Sequence, residues 1–166
     1  MAWFRAGFLA DNIYQITGEA LAARGIRLLL ADLDNTLAPY GQALPDRRLM
    51  DWRAQLADCG VALLVLSNNR QEQRPKIFAQ GLGAPYIGHA GKPRPAAFRQ
   101  AMARMGVEPG QTAIVGDQVF TDVLGGNLAG VTTILVRPIR LAGNPGRYLR
   151  YALELPFRLL SGRKRW

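Results

Sequence analysis

Asp32 and Asp34 follow an apolar run, in the stretch Leu28-Leu29-Leu30-Ala31-Asp32-Leu33-Asp34-Asn35-Thr36-Leu37. Side chains alternate along an extended chain, so these two carboxylates share one side of the backbone. Two acids leaving the carboxyl end of a strand repel each other unless a cation or a proton is shared between them. The pairing suits phosphoryl transfer, in which one carboxylate attacks phosphorus, the other handles the leaving-group proton, and a divalent metal joins substrate to nucleophile. A bare Asp-x-Asp is more often an acidic turn. The hydroxyl of Thr36 and the apolar strand before Asp32 favour the catalytic reading.

Three further groups follow in the order this chemistry needs. Ser67-Asn68-Asn69 ends a second apolar run, where a short hydroxyl and neighbouring amides can bind a phosphoryl oxygen. Lys92, fixed between Gly91 and Pro93, can supply a point charge to phosphate and nucleophile. The stretch Gly116-Asp117-Gln118-Val119-Phe120-Thr121-Asp122 brings two more acids after an apolar run and a tight turn. Asp117 stands where a hard cation needs another oxygen ligand. Asp122 has two readings, a water-bridged metal contact or a cap for the following helix. His89, the single histidine, either lines the same site or is a plain loop residue.

The elements that must carry these residues alternate. Apolar runs predict strands over 26–32, 61–67, 85–88, 112–116 and 131–136. Amphipathic stretches predict helices over 45–58, 74–79, 95–105 and 122–129, with Gly81, Gly106 and Gly130 at C-terminal caps. Residues 11–23 read as one additional helix. This alternation implies an α/β fold, a Rossmann-like parallel sheet flanked by helices, with every candidate residue at the carboxyl ends of strands.

Asp-Leu-Asp-Asn-Thr-Leu at 32–37, Ser67, Lys92 and Gly116-Asp117 through Thr121-Asp122 together resemble the four motifs of the haloacid dehalogenase (HAD) superfamily, over roughly residues 24–140. The resemblance implies an HAD-type phosphatase with Asp32 as nucleophile and Asp34 as general acid and base. It implies Ser67, Lys92, Asn68 and Thr36 around the phosphate, and Mg2+ held by Asp32, the Asp34 main-chain carbonyl and Asp117. The acid at position 34 speaks for a phosphatase, since the dehalogenating branch lacks it. The wording of these motifs, the upstream segment and the basic tail further resemble subfamily IIIA and its YqeG-like group, relatives of the mitochondrial and plastid phosphatidylglycerophosphate phosphatases. That implies a phosphatidylglycerophosphate substrate. Between Leu37 and the second strand, and again between Asn69 and Gly91, there is room for one helix but not for a cap domain. The expected site is open, suited to a phosphate on something bulky or to a small substrate enclosed by a homo-oligomer partner.

Composition agrees with one domain: 166 residues, 49% apolar, hold one ordinary core. No run reaches the roughly 20 apolar residues of a membrane span. One cysteine, Cys59, and no signal-peptide pattern predict a reducing, cytoplasmic setting, with the inner face of the membrane as the place for peripheral contact. The net charge of +9 is uneven, because residues 137–166 hold eight basic residues and only one acid, Glu154. We therefore divide the chain into a capless phosphatase domain, 1–140, and a basic amphipathic segment, 141–166. In that segment Arg147, Arg150, Glu154 and Arg158 fall on one helical face, apolar residues fill the rest, and Pro156 is expected to kink or stop the helix. Three roles fit it: an anionic membrane surface, docking of its apolar side on the catalytic domain with the arginines solvated, or RNA and ribosomes. The competing functions are accordingly a phosphatase of a soluble sugar phosphate or nucleotide, and an RNA- or ribosome-associated protein.

Overall fold

A computed structural model describes residues 2–69, 71, 73–140, 145–161 and 164–166. Six strands form one parallel sheet: β1 (Phe8–Ala10), β2 (Leu28–Ala31), β3 (Ala62–Leu66), β4 (Tyr86–Ile87), β5 (Thr112–Gly116) and β6 (Thr132–Val136), in the order β1-β6-β5-β2-β3-β4. The helices are α1 (Gly18–Ala22), α2 (Arg47–Asp58), α3 (Gln73–Leu82), α4 (Ala96–Met105), α5 (Leu124–Ala129) and α6 (Pro145–Leu160).

Strand β2 is central and wholly buried, as a strand covered on both faces must be. Its residues alternate between two cores. Leu29 and Ala31 pack with Leu49, Trp52, Leu56 and Phe78, whereas Leu28 and Leu30 pack with Phe98, Met102 and Ile114. The chain leaves β2 for β3 on one side, while β5 lies on the other. This reversal opens a crevice beyond the carboxyl ends of β2 and β5, the place where such sheets bind ligands. Ala31 pairs with Val115, and the Asp32 N–H bonds the Val115 carbonyl at 3.0 Å. Asp32 and Asp117 therefore emerge side by side. Neither of the two insertion points holds a cap among the described residues: α2 fills one, and α3 with β4 fills the other.

Several expectations are corrected. Residues 11–23 form no single helix. A 3-10 turn at Ile13–Gln15 precedes α1, because the Thr17 hydroxyl accepts the Ala20 N–H at 3.2 Å and starts a new helix there. Gly81 lies inside α3, and the left-handed residue beyond that helix is Gly83, at φ +66°. Gly106 and Gly130 are left-handed caps, as expected. The helix expected at 122 begins earlier, with a π turn over Val119–Val123 leading into α5, since Asp122 already accepts the Gln118 N–H at 3.2 Å. Gly125 and Gly126 then let α5 approach closely. A Cβ on Gly125 would stand 2.7 Å from the Phe98 ring, and one on Gly126 2.6 Å from Thr133.

The tail is built into the domain. Helix α6 continues through Pro156, held by contacts on either side of it. Glu154 is buried and accepts the Phe120 N–H at 3.2 Å, Phe157 packs on Phe4 and Phe120, and the Ser161 hydroxyl accepts the Ala6 N–H at 3.0 Å. Thus Glu154, Phe157 and Arg158 dock while the leucines of α6 face outward, which goes against one of the three roles expected for the tail, that of an apolar side docked on the domain with the arginines solvated. Glu154 is no solvated charge, and Arg158 is largely covered. Beyond α6, the Leu9 N–H bonds the Lys164 carbonyl and the Trp166 N–H bonds the Leu9 carbonyl, both at 2.9 Å, so the tail pairs with the outer side of β1. Arg163, the side chain of Arg147 and the expected boundary near 141 lie outside the described residues.

Candidate active site

The even-numbered register of β2 directs Asp32 to one side of the crevice, where the Gly91–Pro93 loop passes. The Lys92 ammonium sits between two carboxylates, 2.7 Å from Asp32 Oδ1 and 2.6 Å from Asp122 Oδ1, and all three residues are buried. Burial by itself would lower the Lys92 pKa, but Asp122 and Asp32 outweigh it, and the ammonium is held charged. Asp122 therefore lies in the site and also anchors the turn that carries Asp117. Gly116 is required beside it, because a Cβ there would run into the Asp122 carboxylate.

Asp32, Asp117 and Asp122 each offer a carboxylate oxygen to a common point, with the three oxygens within 4.8 Å of one another. Asp32 Oδ2 and Asp117 Oδ1 are buried and have no hydrogen-bond partner. Unpaired buried carboxylate oxygens are costly, and a hard divalent cation would satisfy both. The donor set, all oxygen, fits Mg2+. Collecting these charges in a buried place raises the pKa values of Asp117 and Asp122. Burial, with Asp32 and Asp122 nearby, raises the Asp117 pKa well above the ordinary carboxylate range, against a smaller lowering by Arg158. Burial likewise raises Asp122 to about 6, although Lys92 opposes it. The Arg158 guanidinium donates to the Asp117 main-chain carbonyl, so α6 supports this corner.

The Asp34 carboxylate turns away from the cluster. It pairs with Arg74 on α3 and accepts a hydrogen bond from Asn69 Nδ2 at 3.1 Å. Burial raises its pKa, more than Arg74 lowers it, and Asp32 adds to the rise. Ser67 is buried at the end of β3, and its hydroxyl accepts the Asn69 N–H at 3.1 Å. The Asn68 amide is directed at the Lys92 backbone. Asp32, Asp34, Ser67, Asn68 and Lys92 line one open cavity of about 400 Å³. Thr36 is buried with its hydroxyl unpaired and does not line that cavity. His89 is an exposed loop residue away from it.

Five wall residues escaped the sequence reading of the site: Tyr40, Gln71, Gln118, Thr121 and Arg150. Thr121 lay inside the quoted motif, but nothing local marks Arg150, which arrives from α6 and donates to Gln118 Oε1 at 2.7 Å. Arg74 was missed for the same reason, its partner Asp34 being 40 residues distant.

Residues 89–138, which include Lys92, Asp117 and Asp122, match the HAD-hydrolase-like family model. Over 162 residues the chain is 38% identical to the probable phosphatase YqeG of Bacillus subtilis, covering 95% of this chain and 92% of that protein. The chain belongs to the YqeG-like phosphatases of the HAD family. This HAD phosphatase is also 29% identical over 144 residues to the chloroplastic phosphatidylglycerophosphate phosphatase 1 of Chlamydomonas reinhardtii, covering 82% of this chain and 54% of the relative. The corresponding protein of Arabidopsis thaliana is 29% identical over 164 residues, 93% of this chain and 46% of that one. The chain thus spans about half the length of these two plastid relatives. Among solved structures, the cobalt-bound deoxy-D-mannose-octulosonate 8-phosphate phosphatase of Haemophilus influenzae superposes with a TM-score of 0.54 at 20% identity, over 83% of this chain and 92% of that one. At such identity the likeness is one of fold. No helix among the described residues is long and apolar enough to cross a membrane.

Proposed function

We propose that this phosphatase hydrolyses a phosphate monoester through an aspartyl-phosphate on Asp32, with a phosphatidylglycerophosphate-type lipid as substrate. The observation that carries the chemistry is the convergence of Lys92, Asp117 and Asp122 on Asp32, with buried carboxylate oxygens left unpaired. In this reading an Asp32 oxygen attacks phosphorus and the ester P–O bond breaks. Asp34, its pKa raised by burial, gives its proton to the leaving alkoxide. A water then attacks the acyl-phosphate, Asp34 takes back a proton, and inorganic phosphate and free Asp32 result. Lys92 and Ser67 hold the phosphoryl oxygens, and Asn68 holds Lys92. Asp32 and Asp117 would hold Mg2+ with the Asp34 main-chain carbonyl, and Asp122 stands within reach of the same point. When bound, the cation would offset charge between phosphate and carboxylates.

The lipid assignment is supported by the plastid relatives, by a mitochondrial phosphatidylglycerophosphatase of Saccharomyces cerevisiae at 26% identity, and by the uncapped cavity. A soluble substrate is the second reading, favoured by a 34% identical match of 115 residues to the human N-acylneuraminate-9-phosphatase. A phosphate-release panel with Mg2+ decides between them. The lipid reading expects phosphatidylglycerophosphate in mixed micelles to be turned over with the highest kcat/KM. Preference for a sugar phosphate, a nucleotide or phosphoserine overturns it.

A further inference from the structure

Helix α6 presents an apolar face to solvent from Tyr148 to Leu160. At 100° per residue, Tyr148, Leu149, Leu153, Leu155, Leu159 and Leu160 fall within an arc of about 160°. Leu149, Leu153 and Leu159 are 65%, 59% and 76% exposed. The opposite side carries Glu154, 1% exposed, and Arg158, both bonded to the catalytic domain. A helix packed on a globular domain turns its apolar stripe inward. Here the polar stripe is inward, and the outward stripe is a contiguous apolar surface of the kind that marks an interaction site.

Charge selects the occupant. Glu154 is the single acid between residues 137 and 166, and it is buried beneath the helix. The exposed residues of α6 are therefore neutral or basic, Arg150 among them, and the segment carries +7 of the chain's +9, although Arg137 and Arg165, outside the helix, both pair with Asp11. An apolar stripe with no exposed acid on its helix, carried by a segment of net charge +7, matches a surface that is apolar below and anionic above, which is the interface of an anionic phospholipid bilayer. Position agrees as well. Arg150, on the same helix, reaches the wall of the cavity that holds Asp32 and Lys92.

We infer that α6 is an interfacial helix: its outward leucines insert into the surface of an anionic bilayer and bring the catalytic cavity to the headgroup level. The inference deepens the lipid reading above and rests on it for the phosphate ester that the cavity would meet there. Its test does not depend on catalysis. The full chain is floated with phosphatidylglycerol vesicles and with phosphatidylcholine vesicles, beside a variant carrying Leu149→Ser, Leu153→Ser and Leu159→Ser.

The wild type should float with the anionic vesicles. The variant should lose at least about tenfold in bound fraction while hydrolysing a soluble aryl phosphate as the wild type does. Equal flotation of both proteins overturns the inference, as does a wild type that floats with neither vesicle. A wild type that is dimeric in solution and fails to float, beside a monomeric variant, assigns the stripe to a second copy and also overturns it. Flotation of the wild type and its loss in the variant, without phosphate release from phosphatidylglycerophosphate, would sink the substrate reading and leave the docking surface standing.

Discussion

Asn68 and Lys92 hold each other in both directions: Asn68 Nδ2 donates to the Lys92 carbonyl at 3.0 Å, and Asn68 Oδ1 accepts the Lys92 N–H at 2.9 Å. The clasp joins the end of β3 to the loop before α4, and so fixes the height at which the Lys92 ammonium enters between Asp32 and Asp122. Asn68→Ala should cost about 1–2 kcal/mol of stability, the sum of two partly exposed hydrogen bonds. It should also lower kcat on the order of tenfold, with little change in the KM for substrate, because the ammonium loses its fixed position. Thermal unfolding and steady-state kinetics with Mg2+ measure both. A kcat equal to wild type would mean that the lysine is placed by its carboxylate partners alone.

Asp32→Asn keeps an oxygen that can accept the Lys92 hydrogen bond, yet it has no carboxylate to form an acyl-phosphate. The fold should survive and turnover should drop by several orders of magnitude, on the scale seen when other catalytic nucleophiles are removed. Residual phosphate release above about a tenth of wild type would sink the assignment of Asp32 as nucleophile.

Asp34→Asn tests proton transfer through the leaving group. An aryl oxide leaves without much help from an acid, whereas an alkoxide does not. The variant should therefore lose far more rate on an alkyl phosphate than on an aryl phosphate, read as a ratio of kcat/KM values. Equal losses on both esters would take the acid role away from Asp34.

The carboxylate cluster makes the metal-free protein sensitive to pH in a defined direction. Asp117 and Asp122 both have folded pKa values raised above those of the unfolded chain, Asp122 to about 6. Their protonated forms favour the folded state, so stability is present below the unfolded values near 4 and is lost as pH rises through the folded ones. In a chelator, the unfolding temperature should fall between about pH 5 and pH 7. Mg2+ at pH 7 should restore it. Asp117→Asn, neutral throughout, should flatten the metal-free decline. A decline of wild-type size in that variant would show that Asp117 is not part of the linkage.

What was legible in the chain was local. Asp32, Asp34, Ser67, Lys92 and Asp117 follow apolar runs or turn residues within a few positions, and a parallel sheet delivers strand ends to a common crevice. The clasp between Asn68 and Lys92, the pairing of Asp34 with Arg74 and the bond of Arg150 to Gln118 join residues 24, 40 and 32 positions apart, and no periodicity encodes them. Strand β1 was missed because three residues are too few to show alternation. The orientation of α6 stayed open in the sequence because amphipathicity shows that a helix has two faces, while the partner that takes each face is set elsewhere: here, Glu154 by the Phe120 amide and Arg158 by the Asp117 carbonyl. The single Cys59 packs at the C-terminal end of α2 with its sulfur against Gly18.

Pairing of β1 sets an order for vectorial synthesis. Phe8–Ala10 are made first among the strands, but their ladder partners are Ile134–Val136 on one side and residues 164–166 on the other. During translation this strand must wait, its backbone bonded to water alone, until almost the entire sheet has emerged. Closure of so long a loop is entropically unfavourable until those last contacts form. The growing chain therefore carries an unpaired strand that a chaperone or a neighbouring nascent chain can grasp, and the tail that completes α6 is also the piece that removes it from reach.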